Sequence, residues 1–566
     1  MELLQKIDFR PASLHVLKNY SLSKLKTDLI AGIVVGIVAL PLAIAFAIAS
    51  GVSPTAGLVT AIIGGFIVSA FGGNSVQIGG PTGAFIVIVY NIIALYGLTG
   101  LAIATFMAGC LLLLMGVFKL GTVIKFIPYP IVVGFTAGIA LTIFSTQMKD
   151  FFGLSIDGAV PSDFIGKWGV YFSSFHTIDW TTTLVGVLSL LLIVAVPRIS
   201  RRLPGALVAI IVMSAAVWIL RQFGIGGEIE TIGDRFTGMS SSMPAPHSLG
   251  INMESINLLL PSAFTIAMLG AIESLLSATV ADGVTGSRTN SNTELIGQGL
   301  ANITVPFFGG IPVTGAIART MTNITNGGRT PVAGIVHALV LLLIFLFLMP
   351  LINLVPMACL AAVLITVSYN MSGWRTVRGI FHHPKSDISI LIVTFLLTVI
   401  FDLTIAIEMG LLLAILLFLQ RVMQNTTVRV YGKQLDAAEG TDLDTHEVLD
   451  LAPGVSVYEI DGPFFFGVAT KFDEVMRSAP MHERPKVRII RMRKVPFIDA
   501  TGLHNLEILI KASHHDGIDI VLSGVNDSVR SVMHKAGIDT LVGADKICSH
   551  ISKALQVANR IASSAE

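Results

Sequence analysis

Residues 79–84 read GGPTGA, and they open an otherwise apolar run, VQIGGPTGAFIVIVYNIIALYG. A segment suited to a bilayer thus begins with helix breakers and a threonine. The same letters return with two insertions as GGIPVTGA at 309–316, about 230 residues further on. Gly/Pro interruptions at corresponding places in two halves of a chain are the best sequence pointer to a transporter's substrate site, formed by discontinuous helices near the bilayer midplane. A single interruption also serves tight packing or a kink; the matched pair favours the site.

The 566 residues are 53% hydrophobic and 13% charged, with a mean hydropathy of +0.78. That is the balance of a polytopic membrane protein. Apolar stretches near the length needed to cross a hydrocarbon layer of roughly 30 Å recur along the first three quarters of the chain. The net charge is +1, and the three cysteines, Cys110, Cys359 and Cys548, are too scattered for a disulfide frame or a metal site. No cofactor and no nucleic-acid partner is expected. Residues 1–28 are mixed polar and amphipathic, have no apolar leader followed by a cleavage site, and read as a cytoplasmic arm.

Apolar runs predict helices at about 29–50, 54–72, 79–95, 98–117, 127–147, 181–197 and 204–221. A second set falls at about 255–280, 294–308, 314–325, 331–350, 354–369, 386–402 and 404–423. Lys119, Lys125, Arg198, Arg201, Arg202, Arg375, Arg378 and Lys385 fall in alternate loops, on the side of the N-terminal arm, so that side is inside. The loops 148–180 and 222–254 then lie outside, and the even number of crossings puts the C-terminus inside. The transporter domain spans 29–423, followed by a linker at 424–445 and a small α/β domain at 446–566. In that domain VSVYEI, KVRIIRM and IDIVLSG are strand candidates, and KFDEVMRSA, TGLHNLEILIKASHH and NDSVRSVMHKAG are helical.

The breakers acquire a role when the half-helices are read electrostatically. One beginning at Thr82-Gly83-Ala84 and another at Thr314-Gly315-Ala316 would aim free N–H groups and two positive dipole ends at one point. Such a point attracts an anion. Arg319 lies about one turn into the second half-helix, where an unpaired cation costs roughly 2.5–3.5 kcal/mol on the gentlest scale; a bound anion offsets that cost. Glu273, within AMLGAIESLLSATVADG, is a carboxylate inside an apolar helix and thus a candidate proton carrier, or the partner of Arg319 in a structural ion pair. Ser277, one turn on, shares its face. Asp402 and Glu408 flank a turn and read as boundary residues.

These residues resemble a known family. ALPLAIAFAIASGVSPTAGL, IGGPTGAF, GAIESLLSATVADGVTGSRTNSNTELIGQGLAN and GGIPVTGAIARTMTN together are similar to the SulP anion transporters, and the tail is similar to the STAS domain that usually follows. The resemblance implies a polytopic α-helical membrane protein, a 7+7 inverted-repeat transporter with core and gate domains, and a small cytoplasmic α/β STAS domain. It further implies a homodimer in the bacterial inner membrane and an elevator-like movement. Carried onto this chain, the family's anion site picks out Phe46, Thr82, Gly83, Ala84, Phe85, Gly315, Ala316, Ile317 and Arg319 for the substrate. Glu273 and Ser277 are picked out for proton coupling. The match is closest to bacterial members that couple uptake to protons, with C4-dicarboxylate or sulfate as cargo. Sodium-dependent bicarbonate members carry Asp and Thr where this chain has Glu273 and Ser277 and lack the arginine at 319, so sodium is the less expected coupling ion.

In VPFIDATGLHNL, Asp499 is placed to cap the next helix. STAS relatives that act as phosphorylation switches carry Ser directly after this Asp; here that place is Ala500, with Thr501 adjacent as the remaining hydroxyl. The basic run RPKVRIIRMRK reads as a solvated face, or as a contact for anionic lipid or an acidic cytoplasmic protein partner. An uncoupled anion channel would keep the basic site without a titrating Glu273. A membrane-tethered STAS sensor would need neither. An enzyme is the least expected class: the 13 histidines are dispersed, no nucleophile and base share a motif, and no HExxH spacing appears.

Overall fold

A computed structural model describes residues 9–16, 20–122, 128–200 apart from 157, 159 and 162, then 204–224, 229–237, 241–401, 403–431, 434–436, 448–468 and 485–564. Lys125, Arg201, Arg202, Asp402, Arg484 and the segment KFDEVMRSA lie outside the described residues. The chain forms two compact units, Met1–Ala414 and Ile415–Glu566.

In the first unit the helices of the first set are α1 (Leu22–Ala49), α2 (Pro54–Phe71), α3 (Phe85–Val117), α4 (Tyr129–Thr146), α5 (Trp180–Ile199) and α6 (Gly205–Gln222). Those of the second are α7 (Met253–Thr285), α8 (Ser291–Thr304), α9 (Ile317–Thr325), α10 (Pro331–Ile352), α11 (Met357–Met371), α12 (Lys385–Ile400) and α13 (Leu403–Asn425), the last running on into the second unit. At 33 residues α3 would be about 50 Å long at 1.5 Å per residue, too long for one upright crossing. Gly97 divides it: its φ of 68° and ψ of −173° are non-helical, and a side chain would resist that backbone. Two helical segments result, which makes seven segments in each set. The loop at 148–180 is less open than its composition implies, for it holds helices at Met148–Phe152 and Phe164–Ser174.

The expected starts at 79 and 314 are corrected by a few residues, for a reason. Gly79–Gly80 and Thr314–Gly315 are extended, forming β1 and β2, and they pair antiparallel with Gly79 opposite Gly315 and Gly80 opposite Thr314. Extended backbone joins across the repeats here instead of starting helices, so α3 begins at Phe85 and α9 at Ile317. In α2 the turn Thr60–Gly64 is π-helical, and Thr60 Oγ1 accepts the Ile311 N–H at 2.7 Å, which anchors the approach to β2.

Helix contacts sort into two bundles. In one, α7 and α8 pack on α3, α10 packs on α1 and α2, and α9 lies against α1 and α7. In the other, α4 packs on α12 and α11, and α5 on α6 and α11. The first bundle is locked by a carboxylate. Glu294 of α8, fully buried, accepts from Gly73 N at 2.8 Å and Asn74 N at 3.1 Å through one oxygen, and from Gln77 Nε2 at 2.8 Å and Gln298 Nε2 at 2.9 Å through the other. It therefore holds the chain leading into β1.

The second unit is an α/β domain. Its sheet has the order β3-β6-β7-β8-β9, with β3 (Thr427–Tyr431), β6 (Val455–Asp461), β7 (Val487–Lys494), β8 (Asp519–Ser523) and β9 (Ile547–Cys548). The β3–β6 pair is antiparallel and the others are parallel. β4 (Gln434–Asp436) and β5 (Val448–Asp450) form a separate pair. Helices Ala500–His515, Asp527–Lys535 and Ile551–Ser564 follow the strands. Apolar clusters lie on both faces of the sheet, around Tyr458, Ile490 and Leu522 on one and Val457, Ile489 and Val521 on the other. Such strands read as continuous apolar runs. The reading of RPKVRIIRMRK as a solvated face is corrected at Arg491, which is 3% exposed and pairs with Glu459 at 3.4 Å, its register partner on β6.

Glu294→Ala leaves several buried donors without an acceptor, each at a cost of about 1–3 kcal/mol. A clear fall in the melting temperature of the detergent-solubilised protein is expected. Glu294→Gln, which keeps one acceptor oxygen, should lose less; equal melting of all three proteins would contradict this role.

Candidate functional site

The site is built on the β1–β2 pair. Two antiparallel strands lying side by side send their chains off in opposite directions, so α3 and α9 leave with their N-termini turned toward each other. Among the described residues, no acceptor outside the helices meets the N–H groups of Gly83, Ala84, Ile317, Ala318 and Arg319. These are the open first-turn donors of two helices. Ala316 N donates to Ile78 O at 2.9 Å, and Thr314 Oγ1 donates to Gly270 O at 2.9 Å, which pins β2 between β1 and α7.

Arg319 is 2% exposed, yet neither of its terminal nitrogens has a hydrogen-bond partner, and among the described residues it forms no ion pair. Its guanidinium lies directly against the backbone of β1. A Cβ built on Gly80 would fall 1.8 Å from Nη1 and 3.0 Å from Cζ. Only glycine lets the cation come this near the strand. On the other strand Gly315 is constrained in the same way, since its Cβ would fall 1.9 Å from Gln77 Nε2.

Glu273 turns elsewhere. Its Oε2 accepts a hydrogen bond from Thr82 Oγ1 at 2.7 Å, which links α7 to the turn entering α3. The alternative of a Glu273–Arg319 ion pair is not what the fold adopts, so the cation and the carboxylate are both left for other partners. Phe46 of α1, 6% exposed, borders the same turn: a Cβ on Gly83 would lie 3.4 Å from Phe46 Cε1, 3.2 Å from Ile143 Cδ1 and 2.9 Å from Met371 Sδ. Ile143 and Met371 belong to the second bundle, so Gly83 sits at the seam between the two.

The structure thus brings together Phe46, Thr82, Gly83, Ala84 and Glu273 on one side and Gly315, Ala316, Ile317 and Arg319 on the other. Ile317 is 43% exposed at the open end of α9. Two expected members point away. Phe85 is 1% exposed and packs toward Gly270 and Leu112, inside the first bundle. Ser277 does not bond Glu273; its Oγ donates to Thr320 Oγ1 at 3.3 Å, and that oxygen also receives Ile78 N at 3.1 Å. Ser277 braces β1.

Sequence reasoning missed Gln77, Glu294 and His337. Gln77 spans from Ser274 Oγ at 3.0 Å to Glu294 beneath β1. His337 of α10 is fully buried beside the strand, with neither ring nitrogen in a hydrogen bond of normal geometry. A carboxylate and an imidazole in apolar helices were the available signals.

In the second unit Asp499 caps the helix Ala500–His515, its Oδ1 accepting from Gly502 N at 2.7 Å. Its Oδ2 accepts from Phe466 N at 3.1 Å, so the cap also ties down the turn after β6. Thr501 is exposed on the first turn of that helix.

Comparison with known proteins gives this arrangement its context. Residues 25–394 match the Sulfate permease family and residues 448–554 match the STAS domain. The chain is 40% identical over 538 residues to YvdB of Bacillus subtilis (strain 168), a protein bearing a sulfate-transporter name, across 94% of this chain and 98% of that one. It is 30% identical to the solved transmembrane domain of a cyanobacterium bicarbonate transporter, BicA, across 69% of this chain and 98% of that one, with a TM-score of 0.61. The murine Slc26a9 anion transporter, solved in the inward-facing state, superposes with a TM-score of 0.85 across 98% of this chain and 94% of that one; at 17% identity this is a likeness of fold. The chain belongs to the sulfate permease family: a multi-pass anion transporter with seven plus seven inverted helices, core and gate bundles and a STAS domain, and not an enzyme.

Gly80→Ala and Arg319→Gln should weaken anion binding alike, the first by displacing the guanidinium and the second by removing it. Loss of a charged hydrogen bond costs about 1.5–3 kcal/mol, or roughly tenfold to a hundredfold in affinity, measurable by calorimetry with sulfate on the solubilised protein. Unchanged affinity in Gly80→Ala would show that the placing of Arg319 against β1 is immaterial.

Proposed function

We propose that this transporter is a proton-coupled symporter of a small anion, sulfate or a C4-dicarboxylate. The anion is held between the N-termini of α3 and α9 and carried by an elevator-like displacement of the core bundle against the gate. The observation that carries this reading is the separation of the two buried charges. Among the described residues the terminal nitrogens of Arg319 have no partner, while Glu273 is bonded to Thr82 on the opposing half-helix. Two helix ends worth roughly half a charge each, together with Arg319, balance a dianion when Glu273 is protonated. With Glu273 ionised the same site suits a monovalent anion.

Thr82 supplies the link. While Glu273 is ionised, the Thr82 hydroxyl is committed to donating to it. When Glu273 takes up a proton, its own O–H can donate to Thr82 Oγ1, and the Thr82 proton is free to turn to the anion. Proton loading thereby removes one negative charge from the site and adds one donor to it.

Relatives bear both sulfate-transporter and bicarbonate-transporter names, and the likeness to BicA favours a second reading, sodium-dependent bicarbonate uptake. The presence of both Glu273 and Arg319 at the site, unpaired with each other, argues for protons. Lys119, Arg198, Arg375, Arg378 and Lys385 follow or precede alternate crossings on the side of the N-terminal arm, which supports cytoplasmic termini. We place the protein in the bacterial inner membrane as a homodimer, with a cytoplasmic protein as the partner for the STAS domain around Asp499 and Thr501.

Labelled sulfate, succinate and bicarbonate, offered to proteoliposomes under an imposed proton or sodium gradient, separate these readings. Proton-driven accumulation of one dianion is expected, abolished in Glu273→Gln and much reduced in Thr82→Val. Sodium-driven bicarbonate uptake would put the second reading first. Equal downhill flux in wild type and Glu273→Gln, indifferent to either gradient, would instead describe an uncoupled channel.

A further inference from the structure

Lys167 lies in the helix Phe164–Ser174 between α4 and α5, and only 4% of its surface is exposed. The helix is fixed at two points. Asp163 caps it by accepting from Gly166 N at 2.6 Å, and Trp168 Nε1 donates to Ser145 Oγ at 3.0 Å on α4. So held, the Lys167 ammonium stands 5.7 Å from the centre of the Tyr90 ring on α3. Among the described residues no carboxylate pairs with it. An aromatic face compensates a desolvated ammonium only in part. Burial accordingly pulls the Lys167 ammonium below the ordinary lysine range, with Asp163 opposing.

The same lysine borders a cavity of about 350 Å³ at the seam of the two bundles. Ala45 and Tyr90 line it from the core side, and Gln147, Lys149 and Leu364 from the gate side. Arg235 also reaches it, but two carboxylates more than offset its charge: Asp150, itself part of the lining, binds it through both oxygens, at 2.7 and 3.1 Å, and Glu230 binds it as well. Lys149, like Lys167, has no carboxylate partner among the described residues. Among the described residues, then, Lys149 and Lys167 are the cations of these walls without a direct carboxylate partner, and with Arg235, Asp150 and Glu230 counted the balance is one positive charge facing a space that, at roughly 30 Å³ per water, accommodates a hydrated oxyanion or a short dicarboxylate.

We propose that this seam cavity is a second anion site, separate from the one at Arg319, in which Lys167 and Lys149 hold a sulfate- or carboxylate-type anion between the bundles. Its place on the opposite side of Phe46 from the N-terminal arm makes it a staging post for anions passing to or from the centre. The staging role rests on the transport reading; occupancy of the cavity does not.

Trp168, adjacent to Lys167, supplies the probe. Tryptophan fluorescence of the full-length protein in nanodiscs is titrated with sulfate, succinate and bicarbonate, with Trp168→Phe to assign the signal. A saturable change is expected in wild type and in Arg319→Gln, weakened at least tenfold in Lys167→Met and restored in Lys167→Arg, with unaltered size-exclusion profiles. In proteoliposomes Lys167→Met should raise KM about tenfold for anion supplied to the face that bears the cavity, leaving kcat and the KM for the opposite face unchanged. A signal that vanishes in Arg319→Gln yet persists in Lys167→Met would reduce the protein to its central site and overturn the proposal, as would no signal in wild type. A signal with the expected pattern in a protein that moves none of the three anions would uphold the cavity and overturn the transport reading and the staging role.

Discussion

Everything at the centre of this transporter depends on four residues of extended backbone. Gly79 and Gly80 pair with Gly315 and Thr314 across the two repeats, where each chain alone would leave peptide groups unsatisfied in an apolar interior. Such groups are costly in a bilayer and are tolerated only where protein satisfies them. The antiparallel sense of this one pair turns the N-termini of α3 and α9 toward each other. It also explains the composition of the motif: a side chain on Gly80 or Gly315 would collide with Arg319 or Gln77.

The buried charges of the core bundle divide into those that hold and those that are held ready. Glu294 is surrounded by donors and anchors the approach to β1. Asp28 of α1 does similar work at the start of α10, accepting from Arg329 N at 2.9 Å and Thr330 Oγ1 at 2.6 Å. Both are ionisable groups whose lone pairs are saturated by the fold, as a structural charge requires. Arg319 is the opposite case, a cation enclosed without a partner for its terminal nitrogens among the described residues. Glu273 stands between them, with a single hydrogen bond to a hydroxyl that can reverse its direction. The contrast distinguishes a saturated brace from a charge left open to a ligand more sharply than burial does.

The second unit follows other rules. Its parallel strands are covered on both faces, so the basic residues of β7 cannot all reach solvent, and Arg491 is accommodated only because Glu459 stands opposite it in register. Asp499 is both a helix cap and a tether for the turn at Phe466, so the start of this helix and the end of β6 are held by one carboxylate.

Composition and apolar periodicity alone determined that this chain crosses a membrane many times, that its two halves correspond, and that a small α/β domain follows. The matched Gly-Pro-Thr-Gly interruptions, Arg319 and Glu273 marked a candidate anion site, because breakers and charges are costly in apolar helices. What letters could not carry were relations between distant segments. Only the folded chain decided that the motifs pair as strands before any helix begins, that Glu273 reaches Thr82 and leaves Arg319 unpaired, and that Ser277 and Phe85 turn inward. It likewise brought Lys167, 77 residues from Tyr90 in the sequence, over that ring at the seam of the bundles. The reason is physical: helix propensity, hydropathy and charge cost are properties of a local stretch, whereas the partner of a buried polar group is chosen by whichever segment packing brings beside it.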